Sequence, residues 1–492
     1  MKNLIIIGAG IAGLTAGIYA QKNGFKVKIF ELHNLPGGEC TGWNRGDYHF
    51  DGCIHWLMGT SKKTSLNKLW KEVGALDDDQ EVINHEIFSQ VEFENVTLKF
   101  YRDAYKLEKH WLEIAPEDNV IIKEFCNDIR KLSKFNMPTE KPYDKMNLLD
   151  GIKMIKSLPL LSTMKKYDNI SMKNLTNKFK NNYLKNALKL FMNENYKATS
   201  AVFTLASLHA GDSGWPVGGS LAFSKRMAEK FKELGGIINY KSKVDKILVK
   251  SSSATGIKLE NGDEFYSDYV ISCADGYNTL YKMLDGKYIN GIYKKLYESN
   301  EYKVFTTIQV SFGIKANLSK YEHRRILKLN EILEVGGMKH EFIPMKHYCC
   351  EPSFSPENSS VIISMINTEY DWWKKLYSDT TSYKEAKNKI ANKIKAIIED
   401  NYPEAKDKIE TIDIATPVTY ERYCNAWKGS WMSFITEPGH DINYLPGILD
   451  GLDNFYLSGQ WCMPPGGLPG ALLTGRWVIW RLCNKLKIKF TS

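Results

Sequence analysis

Gly8, Gly10 and Gly13 form a G-x-G-x-x-G run directly after the apolar stretch Leu4–Ile7 and at the head of a helix-forming stretch. This is the order a dinucleotide pyrophosphate requires. Gly8 permits the tight turn, Gly10 lets the backbone approach the phosphates, and Gly13 lets the helix pack close to the strand. Ile11 and Ala12 sit at the helix start, where unpaired N–H groups and the positive dipole end favour phosphate charge. Glu31 follows 23 residues after Gly8, at the end of a second strand-like stretch, Lys26–Phe30. A carboxylate there accepts hydrogen bonds from an adenosine ribose, and it argues against a 2'-phosphate.

A second constellation lies at the far end of the chain. The run Leu452–Ser458 leads into Gly459 and Gln460, and Gly467, Leu468 and Pro469 precede a helix expected over Ala471–Leu486. The glycines bring that helix start beside the pyrophosphate and the O2 side of a flavin. Gln460 suits ribityl or phosphate oxygens. Between the two ends, Gly37, Gly38 and Glu39 follow closely on the ribose-binding acid and offer N–H groups to a phosphate or the flavin edge. Val244 is expected to pair its backbone with the adenine edge, with a plain core role as the alternative. Ala274 follows a strand expected over Tyr269–Ser272. No second glycine fingerprint of this quality occurs, so a nicotinamide has no subdomain of its own and FAD is the expected cofactor.

Two side chains are candidates for proton chemistry. His55 lies in Tyr48–Gly59, a strand and loop expected to pass near the flavin ring with aromatic walls. It either meets substrate or is a satisfied structural histidine. Tyr420, with Tyr423 beside it, is the second candidate, although a buried tyrosine commonly only packs and makes one hydrogen bond.

These residues need a scaffold of the α/β class: a Rossmann-type FAD-binding domain assembled from separated segments, joined to a mixed α+β substrate domain with a helical cap. The expected division is 1–59, 214–284 and 436–492 for the cofactor, and 60–213 with 285–435 for the substrate. In the first insertion, Val91–Phe100 and the segment following Tyr101 suggest a hairpin. Ala115–Asp118 reads as a turn and N-cap before an amphipathic helix over Asn119–Ser133, with Val120, Ile121, Phe125, Ile129 and Leu132 as apolar candidates. Further helices are expected over Met146–Leu161, Met172–Met192 and Thr199–His209. In the second insertion, Phe305–Ile314 and Val361–Asn367 read as strands, and Tyr383–Asp400 as a helix burying Ile390, Ile394, Ile397 and Ile398. Ile152–Leu161 with Met164–Lys166 mixes lysines with long apolar side chains, which suits either a membrane surface or a two-faced cap helix.

At 492 residues and 43% apolar composition, the chain is long enough for at least two cores. A formal charge of +9 suits anionic lipid or nucleic acid, but no zinc-finger spacing or nucleic-acid motif accompanies it. Nucleic acid is therefore not an expected partner. Nine cysteines without a CxxC pair and ten histidines without an HExxH cluster give no metal site. Reduced thiols, an N-terminus starting directly at the cofactor strand and the lack of a run near 20 apolar residues suggest a cytoplasmic protein, with peripheral membrane contact as the alternative.

In the order of Gly8–Gly13, Pro36-Gly37-Gly38, Ala274-Asp275 and the glycine-rich end, nearly the whole chain resembles the phytoene desaturase, carotenoid isomerase and retinol saturase superfamily. Phe50–Trp56 and Gly459-Gln460 are similar to the retinol saturase branch. The resemblance implies FAD chemistry on a hydrophobic polyene, isoprenoid or related lipid: saturation or desaturation of a C–C bond beside flavin N5, with an electron donor or acceptor that the sequence does not identify. It makes His55 the first candidate for proton traffic and Tyr420 the second. Polyene isomerisation, amine or amino-acid oxidation, and a noncatalytic flavin-binding role are the alternatives.

Overall fold

The apolar stretch at the N-terminus becomes the strand Asn3–Ile7, buried on both faces, at the centre of a five-stranded parallel sheet. The strand order is Ile237–Asn239, Lys26–Phe30, Asn3–Ile7, Tyr269–Ser272 and Phe455–Leu457. Successive side chains on a strand face opposite ways. Leu4 and Ile6 accordingly enter a core with Leu14 and Ile18 of the helix Ile11–Lys22, Phe223 of Gly219–Glu233 and Leu472 of Leu468–Lys485. Ile5 and Ile7 enter another core, with Val244 and Ile257 of a three-stranded antiparallel layer. Helices on one face and this layer on the other exclude water from a sheet whose strands are apolar on both sides. The computed structural model describes residues 2–147, 150, 158–289, 291–440 and 442–492.

The cores run across the expected domain limits. Leu66, Leu69 and Trp70, from the helix Ser65–Glu72, pack into the first core, which also takes in Val361 and Ile363 from the expected substrate segment. Tyr293, Leu296 and Tyr302 belong to the core of Ile5 and Ile7, so a boundary at 285 falls too early.

A second sheet of seven strands runs in the order Ile409–Ala415, Thr307–Ile314, Ser360–Asn367, Met338–His347, Arg324–Val335, Ile87–Glu92 and Thr97–Tyr101. All neighbours are antiparallel except Arg324–Val335 with Ile87–Glu92. The expected hairpin of the first insertion is shifted: its strands are Ile87–Glu92 and Thr97–Tyr101. The segment after Tyr101 is instead the helix Ala104–Ile114, because Asp103 accepts from the backbone N–H groups of Tyr105 and Lys106 and starts it there.

That helix packs with Asn119–Leu132, Leu158–Asp168, Met172–Thr176, Asn182–Phe191 and Thr199–His209 over one core containing Trp111, Phe125 and Leu205. Asp118 does not cap its own helix; its carboxylate accepts from the N–H groups of Lys180 and Asn181 and ties two parts of this layer together. Val120 is 75% exposed and plays no part in the apolar face assigned to it. Of the Lys-rich stretch, residues 151–157 lie outside the described residues, and Leu158–Asp168 is helical. Among the described residues, no helix is long and apolar enough to cross a membrane, and no cluster of three or more metal-ligating side chains occurs.

Candidate functional site

A cavity of about 1080 Å³ lies where the two sheets meet. At one end, the helices Ile11–Lys22 and Leu468–Lys485 begin at Gly10 and Gly467, and neither start has a side-chain cap. Their first-turn N–H groups therefore remain available to an anion. The glycines test what that anion must be close to. A Cβ at Gly10 would meet only the Gly37 carbonyl, at 3.8 Å, and one at Gly467 would meet nothing within 4 Å. At Gly10, where φ is -69°, neither packing nor backbone conformation demands glycine, whereas a close-lying phosphate does; at Gly467 the positive φ of 89° already favours it. Gly13 is different: it does not line the cavity, and a Cβ there would collide with the Gly8 carbonyl, so it fixes the approach of helix to strand.

Gly8, Ile11, Ala12, Gly37, Gly38, Val244, Ala274, Gly459, Leu468 and Pro469 all line this end. Glu31 is 7% exposed; one carboxylate oxygen accepts from Ala9 N at 2.6 Å and the other from His33 N at 2.8 Å. Burial raises its pKa while these backbone N–H groups oppose the rise. Gln460 is held between chain ends: its Nε2 donates to Glu39 Oε2 at 3.2 Å, and its Oε1 accepts from Gly467 N at 3.4 Å. Burial pushes Glu39 up to about 8, so its carboxyl is protonated at neutral pH. The uncapped helix starts and the glycines beside them fit FAD.

The other wall comes from alternate residues of the second sheet. Arg324 and Ile326, then Phe342, Pro344 and Lys346, then Ile363 and Met365, face the cavity because side chains recur every second residue. Phe203 and Tyr196 close it from the helical layer. His55 stands on the loop after Tyr48–Asp51, with its ring centroid 6.5 Å from that of Trp56 and 6.4 Å from that of Trp431. Burial, reinforced by the positive charges of Lys346 and Arg324, holds its pKa well below the ordinary imidazole value. It is therefore neutral at pH 7, with burial and both cations opposing its protonation. Three buried polar atoms of lining residues, Thr307 Oγ1, His340 Nε2 and Trp431 Nε1, have no hydrogen-bond partner among the described residues.

Tyr420 does not join this group. Its hydroxyl lies 3.5 Å from Gln309 Oε1, its ring sits in a small cluster with Ala415 and Ala426, and it is not part of the lining. Tyr423 is 46% exposed. Arg324, Lys346 and Trp431 line the cavity without having been singled out from the sequence. The alternation of Phe342, Pro344 and Lys346 was the available signal, but it acquires a direction only once the hairpin register is known.

A glycine-lined dinucleotide cradle opening onto an antiparallel substrate sheet defines the class of two-part flavoenzymes. Residues 11–478 match the family of flavin-containing amine oxidoreductases, and the chain belongs to that family, as an FAD-dependent oxidoreductase. It is 26% identical over 506 residues to prolycopene isomerase 1, chloroplastic, of an Oncidium hybrid cultivar, covering 99% of this chain and 84% of that one. It is 24% identical over 537 residues to all-trans-retinol 13,14-reductase of Danio rerio, covering 96% and 85%. Among solved structures, a triple mutant of putrescine oxidase superposes with a TM-score of 0.63 at 13% identity, over 98% of this chain and 99% of the other. That last likeness is one of fold alone. The relatives place the chain in the superfamily of carotenoid desaturases, carotenoid isomerases and retinol saturases.

Proposed function

We propose that this enzyme adds or removes two hydrogens across a C–C bond of a hydrophobic polyene, isoprenoid or related lipid. The observation that carries this reading is a single cavity running from the glycine cradle to the apolar side chains Ile326, Phe342, Pro344, Ile363 and Met365. Amine oxidation fits this wall poorly: the charged side chains it offers are Arg324 and Lys346, which repel a substrate ammonium. The names of the relatives, a prolycopene isomerase and a retinol reductase, support a conjugated substrate.

When bound, FAD supplies the hydride acceptor or donor. The residues Gly8, Gly10, Ile11 and Ala12, with Gly37, Gly38, Gly459 and Gly467, hold the pyrophosphate and ring, while Glu31 holds the ribose and Val244 the adenine edge. Neutral His55 accepts the proton released in desaturation or, once protonated, returns it in saturation. Trp56 and Trp431 flank it and orient the chain. Isomerisation is the second reading, because the same wall suits it and one relative carries that name. An apolar substrate of this kind partitions into lipid, so the enzyme meets it at a membrane surface.

The test is to incubate oxidised and chemically reduced holoenzyme with carotenoids, retinoids, isoprenoid alcohols and aliphatic amines, and to weigh the products. A polyene product that has lost or gained two hydrogens is expected. Turnover of amines alone overturns the reading.

A further inference from the structure

Arg324 and Lys346 are direct cross-strand partners on the hairpin formed by Arg324–Val335 and Met338–His347, and both line the cavity. Like charges in that position repel, so the pair destabilises the strands that carry it. The next residue shows what a neutralised arginine looks like here. Arg325 points to the opposite face of the sheet, where its Nη2 donates to Glu92 Oε2 at 2.7 Å. Neither Arg324 nor Lys346 has such a carboxylate among the described residues. The acid whose charge acts on Lys346 is Asp51, and its oxygens are already engaged by Ser220 N, Ser220 Oγ and Cys53 N. Lys346 Nζ donates to the Ile54 carbonyl at 3.4 Å and lies 4.4 Å from the centre of the Tyr348 ring, and neither partner carries a carboxylate. The Arg324 guanidinium lies 5.2 Å from the centre of the Phe88 ring.

Resting on the polyene reading above, we infer that the substrate carries a chain-terminal oxyanion, a carboxylate or a phosphate, received by Arg324 and Lys346. A guanidinium fork beside an ammonium matches the oxygens of either group. An anion between them converts a repulsive pair into two attractive ones. Burial has already moved both cations toward neutrality, Arg324 down to about 10 and Lys346 to about 8, which is the cost an incoming anion relieves. The anion donors of the nucleotide cradle belong to the other sheet and its helices, whereas this pair sits on the wall with Ile326, Phe342 and Pro344. The apolar side chains hold the chain and the cations hold its end, which fixes how far along the chain the reacting bond lies.

The experiment titrates FAD-loaded enzyme with four ligands of one chain length, all-trans-retinoic acid, methyl retinoate, all-trans-retinol and retinyl phosphate, following the flavin absorbance. The acid or the phosphate is expected to bind at least about tenfold more tightly than the ester and the alcohol, as charge-assisted bonds imply. The tighter of the two identifies the head group. Arg324→Gln and Lys346→Met should each remove most of that preference while ester affinity changes less than about twofold, and Arg324→Lys should keep part of it. Equal affinity for acid and ester, or a preference that survives both substitutions, overturns the inference and leaves the polyene reading standing. Failure of all four to bind overturns the inference, while turnover of a carotenoid or isoprenoid alcohol in the assay above leaves the polyene reading standing. A shift of the flavin reduction potential in the variants, with the acid-to-ester ratio unchanged, assigns the cations to the flavin and also overturns the inference.

Discussion

At the nucleotide end of the cavity, the groups that meet a ligand are main-chain N–H groups, uncovered where Gly10 and Gly467 start two helices without side-chain caps. At the far end they are side chains, brought together by the register of strands that lie far apart in the chain. The first arrangement recognises what every dinucleotide shares, and it tolerates almost no added atom. The second can be altered one side chain at a time without disturbing the sheet beneath it. A cofactor common to many enzymes and a substrate particular to one are thus handled by different materials.

Substitutions that add volume at the cradle should break this contrast most severely. Gly10→Val points new atoms into open cavity, so the chain should fold while losing most of its flavin, about tenfold or more in occupancy, because the phosphate can no longer lie against the backbone. Gly13→Val, three residues on, collides with the Gly8 carbonyl instead and should lower the melting temperature before flavin is considered. Flavin released per mole of protein, set beside thermal unfolding, separates the two.

At the wall, His55→Ala should leave flavin content near that of the parent and cut turnover by roughly 10²-fold or more, the usual size of a lost acid–base group. Turnover within a few-fold of the parent would return His55 to a packing role.

Glu39 sharpens the comparison through pH. Its carboxyl is held protonated up to about 8 in the folded chain, against an ordinary value of 4.5, chiefly by burial. Between these values the unfolded chain releases the proton and the folded one keeps it. Stability is therefore full below pH 4.5 and is lost as pH rises toward 8, with a slope of at most about 1.4 kcal/mol per pH unit. Glu39→Gln removes that loss. In urea unfolding of flavin-free protein, the variant should gain on its parent between pH 5 and pH 8; an unchanging difference would mean that Glu39 is ionised in the fold.

The smallest effect belongs to Tyr420→Phe. The hydroxyl makes one long contact with Gln309 away from the cavity, so turnover should stay within about twofold and stability within about 1 kcal/mol.

What could be read from the sequence follows the same division. The Gly8–Gly13 run, Glu31 and the Gly459–Pro469 segment are contiguous spacings, and each residue's duty is set by neighbours a few positions away. Helices with an uninterrupted apolar stripe, such as Thr380–Asn401 with Ile390, Ile394 and Ile398, were legible for the same reason. Arg324 and Lys346 were not, because their juxtaposition depends on a hairpin whose register shifts between Lys328 and Leu333. Tyr420 was misplaced because sequence shows that a tyrosine is aromatic and polar, but not which cluster its ring enters.

The most direct test is an anaerobic absorbance titration of the FAD-loaded enzyme with a polyene and, separately, with an aliphatic amine. The expected result is a saturable change in the flavin band with the polyene and none with the amine, since the flavin cradle and the apolar wall share one cavity. Bleaching by the amine, with the polyene leaving the band untouched, would contradict it.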